Sequence, residues 1–295
     1  MDKLLRDKKA IAAFVLPAML VYACIVLVPI VWSATYTVYD GVPGLDFRFV
    51  GSQNFTTLFR DRDFWMAVTT NLKYVAGVVT GQIGLGLLLA FMLMFGLRSH
   101  KNLVRTILFF PVVLPSVAIG QMFVKILEIQ PQYGLFNSLL EVVGLGAYAK
   151  GWLGESSTAL ICCIIADIWK AMGLYATLFY SGLLDIPGDV IEASQIDGAT
   201  GPQRVRYILL PMLKPIIMMA LVLSMTGTLK VFDSIYALTG GGPGNATRMP
   251  TMYMQTTAFV YQQYGYGSTI AIFIMIECLF FSLIINKLLS KDNTI

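Results

Sequence analysis

Six stretches of this chain run for the length of a membrane crossing with few or no charged residues: about 10–32, 74–95, 104–127, 158–184, 208–229 and 268–289. A helix needs about 20 mainly apolar residues to cross the hydrocarbon core of a bilayer, and each stretch supplies that length. The second holds Gly77, Gly81, Gly84 and Gly86, which permit another helix to approach closely. The third has Pro111 and Pro115 inside it, and the fifth is interrupted by Pro211, Lys214 and Pro215. The fifth is therefore expected to be a weak, broken span, since an internal proline removes a ladder hydrogen bond. The run from Ala10 to Trp32 exceeds the roughly 7–15 residues of a signal-peptide core, so it is expected to be an uncleaved first span.

The predicted architecture is all-α: a polytopic membrane protein of six transmembrane helices in a single domain over 1–295. Composition agrees. Hydrophobic residues make up 57% of the 295 and charged residues only 13%, against about 25% in an ordinary soluble domain. A net charge of +4 from scattered basic residues gives no reason to expect nucleic acid as a partner. Cys24, Cys162, Cys163 and Cys278 all fall in apolar runs, and His100 is the one histidine. No metal site or disulfide framework is expected from such spacing.

Lysines and arginines set the orientation, because they concentrate in cytoplasmic loops. One side carries Lys3, Arg6, Lys8, Lys9, Arg98, Lys101, Arg105, Arg204, Arg206, Lys214, Lys287 and Lys291 in short connections. The other carries Arg48, Arg60, Arg62, Lys73, Lys150, Lys230 and Arg248 in longer ones. Both termini are thus expected in the cytoplasm, leaving 33–73, 128–157 and 230–267 outside. The internal loop 185–207 is long and polar. Pro187 suits a helix start, Asp189 places an acid near it, and Gly198 suits its end. Tight inner loops have no structural need of such a helix, which makes it a candidate docking element.

Chemistry-bearing groups are sparse. No Ser-His-Asp set and no phosphate-binding loop is present, so the chain is not expected to be an enzyme. Ionisable groups inside spans are costly and often functional. Asp167 and Lys170 share a face of the fourth span and are placed to pair, with Trp169 and Tyr175 nearby to supply an aromatic surface for a sugar. Glu277 sits near the middle of the sixth span, and Lys125 lies where it can snorkel from the end of the third. Two readings stay open for these groups, a polar pathway or a structural contact between helices. In the fifth span Ser224, Thr226, Gly227 and Thr228 follow the prolines, and interrupted helices with small polar residues mark transport sites.

The loop sequence Glu192-Ala193-Ser194-Gln195-Ile196-Asp197-Gly198-Ala199, followed by Ile208-Leu209-Leu210-Pro211, resembles the EAA loop of ABC importer permeases. Ser194 stands where the family pattern has alanine. Leu184-Asp185-Ile186-Pro187, the stretch from Phe232 to Gly244 with its Gly-Gly-Gly-Pro-Gly turn, and Phe49-Val50-Gly51 to Phe55 resemble carbohydrate importers of the maltose-F type. The resemblance implies a type I permease fold in a bacterial-type plasma membrane. It implies a heterodimer with a second permease, an ATPase dimer and an extracytoplasmic sugar-binding protein. ATP and magnesium would sit on the ATPase, with no cofactor on this chain. Glu192, Ala193, Ser194, Asp197 and Gly198 would couple to that ATPase. The sugar-contacting positions would map to Lys170, Ala171, Leu174, Ser224, Gly227, Thr228 and Val231. The expected function is thus one half of the pathway of an ATP-driven oligosaccharide importer. Alternatives are glycerol 3-phosphate or a related diester as cargo in the same family, an ion-coupled carrier acting alone through Asp167 and Glu277, and an intramembrane hydrolase using those two carboxylates.

Overall fold

The computed structural model describes residues 8–97, 99–130 and 132–290. Lys3, Arg6, Arg98 and Lys291, used above for orientation, lie outside them. The helices are α1 (Ile11–Tyr36), α2 (Gln53–Arg60), α3 (Arg62–Gly96), α4 (Lys101–Val113), α5 (Ser116–Ile126) and α6 (Leu135–Val142). There follow α7 (Ala159–Leu184), α8 (Gly188–Ile196), α9 (Gly201–Leu229), α10 (Asp233–Thr239), α11 (Pro250–Gln255) and α12 (Tyr264–Ser290). Strand among the described residues is confined to one antiparallel pair, Tyr39–Asp40 with Arg48–Phe49.

Five of these helices are long and apolar enough to cross a membrane, and α4 with α5 passes the same test together as a bent pair, a broken span or a re-entrant loop. The expected single span over 104–127 is therefore corrected. Its two helices meet at 98°. Leu114 is extended (φ −72, ψ 143) because the ring of Pro115 disfavours the helical conformation for the residue before it. Pro111 is accommodated inside α4.

The expected break in the fifth span is absent, and helix continues over Gly201–Leu229. One wide π-type turn at Val205–Leu209, closed by the Leu210 N–H donating to the Val205 carbonyl, precedes Pro211. Such a turn carries the chain past a residue that lacks an N–H and crowds the turn before it. The same device appears in α1, where a π-type turn at Ala23–Leu27 precedes Pro29.

The second span begins twelve residues earlier than expected, at Arg62. Its buried positions Phe64, Ala67, Val68, Asn71, Tyr74, Val75, Val78, Val79, Gln82, Ile83, Gly86 and Ala90 continue one helical stripe from end to end. Thr69 and Lys73 are exposed off that stripe, so they lower the local hydropathy without ending the helix. Lys125 pairs with Glu128 at 2.9 Å beyond the apolar part of α5.

The chain divides into two compact units rather than one domain. The first comprises residues up to Arg62 with Met254–Phe273. Here Asn54 donates to the carbonyls of Thr37 (2.9 Å) and Tyr39 (2.7 Å), tying α2 to the strand pair. Tyr266 donates to Asp61. The apolar window of α1 buries nothing within the chain, and Phe14 is 82% exposed. A surface of that kind needs lipid or another protein to cover it.

The second unit comprises Asp63–Tyr253 with the stretch from Ile274 onward. Its core packs α3 against α7 and α9 through Val75, Val79, Ile83, Tyr175, Phe179, Leu183, Leu213 and Ala220. Glycine sets the closeness. A Cβ on Gly81 would lie 2.2 Å from Ile168 Cδ1, and one on Gly173 would lie 1.7 Å from the Leu108 carbonyl oxygen. Gly84, by contrast, faces open space.

At Gly173 the obstacle is backbone, so no side chain can yield. Gly173→Ala is expected to lower the thermal denaturation midpoint of the detergent-purified protein, by an overpacking penalty of about 1–3 kcal/mol or more. Gly84→Ala should leave it unchanged. A denaturation series on the two variants checks this, and equal midpoints would contradict the packing.

Candidate functional site: a polar cavity in the second unit

The polar residues of α3, α7 and α9 gather on one side of the second unit. Asn71, Tyr74 and Gln82 lie three to eight residues apart on the buried stripe of α3, so helical periodicity aims them in one direction. Asp167 and Lys170 come from α7, and Ser224 and Thr228 from α9. Asp167 is 8% exposed. One of its carboxylate oxygens, Oδ2, accepts from the Tyr74 hydroxyl and from Ser234 Oγ at 2.8 Å. Gln82 bridges further. Its amide nitrogen donates to the Asp167 carbonyl (3.0 Å) and its amide oxygen accepts from Ser224 Oγ (2.7 Å). Asn71 donates to the Thr228 carbonyl at 3.3 Å.

Of these, Gln82, Asp167, Lys170, Ser224, Thr228 and Ser234 border a cavity of about 320 Å³. Its walls come from Gln82 of α3, Ser116 of α5, Asp167, Lys170, Ala171 and Tyr175 of α7, and Ser224, Gly227 and Thr228 of α9. Lys230, Val231, Phe232, Asp233 and Ser234 add a consecutive stretch to the lining. Two lysines and two aspartates thus stand on the wall with hydroxyls, an amide and a tyrosine. Polar groups that converge in a partly apolar cavity fix the orientation of a small ligand.

The expected pair Asp167–Lys170 does not form. Asp167 is held by hydroxyls, and Lys170 Nζ donates instead to Ser116 Oγ at 2.5 Å. Trp169 turns away and packs edge-on against Phe123, with centroids 5.6 Å apart, so Tyr175 is the aromatic residue of this pair on the cavity wall. Of the mapped positions, Lys170, Ala171, Ser224, Gly227, Thr228 and Val231 border the cavity and Leu174 does not. Glu277 is not brought to it either. It is 9% exposed, with Oε2 buried and unpartnered among the described residues. A two-carboxylate site made of Asp167 and Glu277 therefore has no geometric basis on this wall.

Gln82, Ser116, Lys230 and Ser234 were not singled out from the sequence. Gln82 carried a usable signal, a polar residue eleven positions, about three helical turns, along from Asn71 in an apolar span. Ser234 and Ser116 carried none, because their roles arise from elements that meet only on folding.

The loop 185–207 forms the short helix α8, with Pro187 before its first residue and Asp189 in its first turn. Gly198 follows with φ +77, a conformation that glycine adopts without penalty. Glu192, Ala193, Asp197 and Gly198 are exposed. Ser194 differs: it is 4% exposed and donates to the Ile191 carbonyl at 2.6 Å, so its side chain stabilises the helix from within. Ile196, not singled out from the sequence, is 81% exposed. Thr200 and Gln203 then form a capping box that starts α9.

Residues 82–294 match the family described as binding-protein-dependent transport system inner membrane component. The probable ABC transporter permease protein YurN of Bacillus subtilis is 34% identical over 272 residues, 92% of this chain and 92% of that protein. The trehalose/maltose transport system permease protein MalF of Thermococcus litoralis is 32% identical over 286 residues, 96% of this chain and 94% of that protein. A solved bacterial ABC transporter involved in the import of the acidic polysaccharide alginate superposes with a TM-score of 0.85 over 99% of both chains. Its 22% identity speaks for the fold, the type I importer permease. The chain belongs to the binding-protein-dependent transport system inner membrane components, the multi-pass permeases of ABC importers.

Proposed function

We propose that this chain is a permease subunit of an ATP-driven sugar importer and forms part of the translocation pathway. The observation that carries this is the cavity wall, which is rich in hydroxyl and amide groups and balances two lysines with two aspartates. Such a wall suits a neutral polyol: every hydroxyl of a sugar both donates and accepts, and no net charge repels it. Relatives carry names of sugar systems, trehalose/maltose and arabinooligosaccharides among them. In this reading Lys170, Ala171, Ser224, Gly227, Thr228 and Val231 contact the passing oligosaccharide. A glycerol phosphate cargo would gain Lys230 as a second cation beside Lys170, but Asp167 and Asp233 on the same wall offset both.

The proposal extends to the assembly. The chain pairs with a second, different permease, and an extracytoplasmic binding protein delivers the sugar. A separate ATPase dimer binds ATP and magnesium and performs the hydrolysis. Both termini face the cytoplasm, so α8 does too. Glu192, Ala193, Asp197 and Gly198 present α8 to the ATPase, with Ser194 holding the helix from inside. The lone ion-coupled carrier leaves α8 without a role.

Affinity purification from the native membrane tests the assembly. Recovery of a second permease, an ATPase and a sugar-binding protein is expected; this chain alone, with transport that needs no ATP, would overturn the reading. Glu192→Ala and Gly198→Asp are expected to cut ATP-dependent sugar uptake at least tenfold while membrane insertion stays intact, as read by uptake and by membrane immunoblot. Thr228→Trp should fill the cavity and reduce uptake to a similar degree while the ATPase still co-purifies. Normal uptake by Thr228→Trp would remove that residue from the pathway.

A further inference from the structure

The helix α10 borders the cavity through Asp233 and Ser234, and one side-chain bond to α7 and one backbone-accepted bond from α5 tie it to the bundle. Its apolar side is packed: Ile235 and Leu238 are buried with Tyr74, Val78, Cys163, Ala166, Met249 and Met252. A second contact joins it to α5, where a Cβ on Gly120 would lie 2.5 Å from Ala237 Cβ and Gln121 donates to the Ala237 carbonyl at 3.2 Å. The side-chain bond to α7 is that of Ser234 to Asp167 Oδ2 at 2.8 Å. The same oxygen accepts from Tyr74, whose side chain is wholly buried in α3. One carboxylate oxygen in α7 therefore joins a fixed hydroxyl of the bundle to a hydroxyl of α10.

If α10 parts from this bond as a unit with α5, the bond of Lys170 to Ser116 of α5 must yield as well. Helix α10 begins four residues after α9 ends, and it closes on Gly240 and Gly241, both at positive φ. Its partner α5 is set off from α4 by the 98° bend at Leu114-Pro115. Apolar packing is non-directional, whereas a hydrogen bond to a carboxylate has a defined geometry and strengthens where water is excluded. This bond therefore fixes where α10 sits at the cavity.

We propose that Asp167 is a positioning residue of the transport cycle: through Tyr74 and Ser234 it latches α10 at the cavity lining formed by Lys230–Ser234, and this latch must release for the cavity to open on that side. The inference rests on the permease reading only in that this end of the chain faces outside. Loss of the Ser234 hydroxyl shifts the balance of closed and open states toward open without touching the apolar core. Asp167→Asn keeps an acceptor oxygen for both hydroxyls and retains the latch.

The test is reaction of Val231→Cys, on the cavity wall, with a membrane-impermeant maleimide added from outside to intact cells that carry the full importer. Adding Ser234→Ala is expected to raise the labelling rate at least threefold, and Ser234→Thr, which keeps the hydroxyl, should stay within twofold of the parent. Asp167→Asn should also stay within twofold, while Asp167→Ala should match Ser234→Ala. The kinetic readout is a split in uptake: Ser234→Ala lowers the maximal rate, because the closed state is less populated, with little change in KM. Equal labelling in Ser234→Ala and its parent would overturn the latch. Labelling is read whether or not sugar is imported, so that result leaves the importer reading standing. Absent ATP-dependent uptake by the importer with Val231 intact would overturn the importer reading without bearing on the latch.

Discussion

A bilayer interior supplies no water, so a polar group placed in a span must find its partner within protein. The polar centre of the second unit is arranged by that constraint. Asp167 accepts from Tyr74 and Ser234, its backbone carbonyl accepts from Gln82, and Gln82 in turn accepts from Ser224. Two of these bonds join α3 to α7, one joins α10 to α7 and one joins α9 to α3, so the network fixes α3, α7, α9 and α10 together where apolar packing alone would let them slide. The cavity is the space left between elements held in this way. Its polar lining follows from the need to satisfy the buried groups as much as from any ligand.

The same constraint governs the helix irregularities. A proline removes a donor and crowds the preceding turn, and in lipid the freed carbonyl has no solvent to turn to. The chain responds in two ways. Ahead of Pro29 and Pro211 a π-type turn keeps the ladder closed and the helix continuous. At Leu114-Pro115 the ladder ends and the path turns by 98°. The bend brings Ser116, at the first turn of α5, to Lys170 and so adds a wall to the cavity that a straight span would not supply.

On the proposed function, cavity and docking helix are mechanically close despite their separation. Lys170 lies on the cavity wall, and α7 continues from it to Leu184, about 21 Å of rigid helix at 1.5 Å per residue. Four residues later α8 begins, and α9 returns from it to Ser224 and Thr228 on the same wall. Force applied to α8 thus reaches two sides of the cavity through unbroken helices. Continuity of α9 through Pro211 and Pro215 is what makes the return path stiff, since a broken helix would absorb the displacement.

Hydropathy alone determined the membrane class and the place of the fourth span, because the need for about 20 apolar residues is local and leaves a local trace. The short helix α8 was equally legible: Pro187 and Gly198 bound it through their own backbone preferences. The start of the second span was not, since Arg62–Lys73 is polar on the face that averaging weighs and apolar only on the stripe that packs. Nor did local rules tell which prolines bend a helix and which are absorbed, as Pro115 and Pro211 differ in the turns that precede them. Above all, tertiary structure decided the partners of the buried polar groups. Three residues of spacing placed Lys170 within reach of Asp167, yet each found a serine from a distant element instead. Sequence spacing states which side chains can meet on one helix; the packing of other helices decides which of them do.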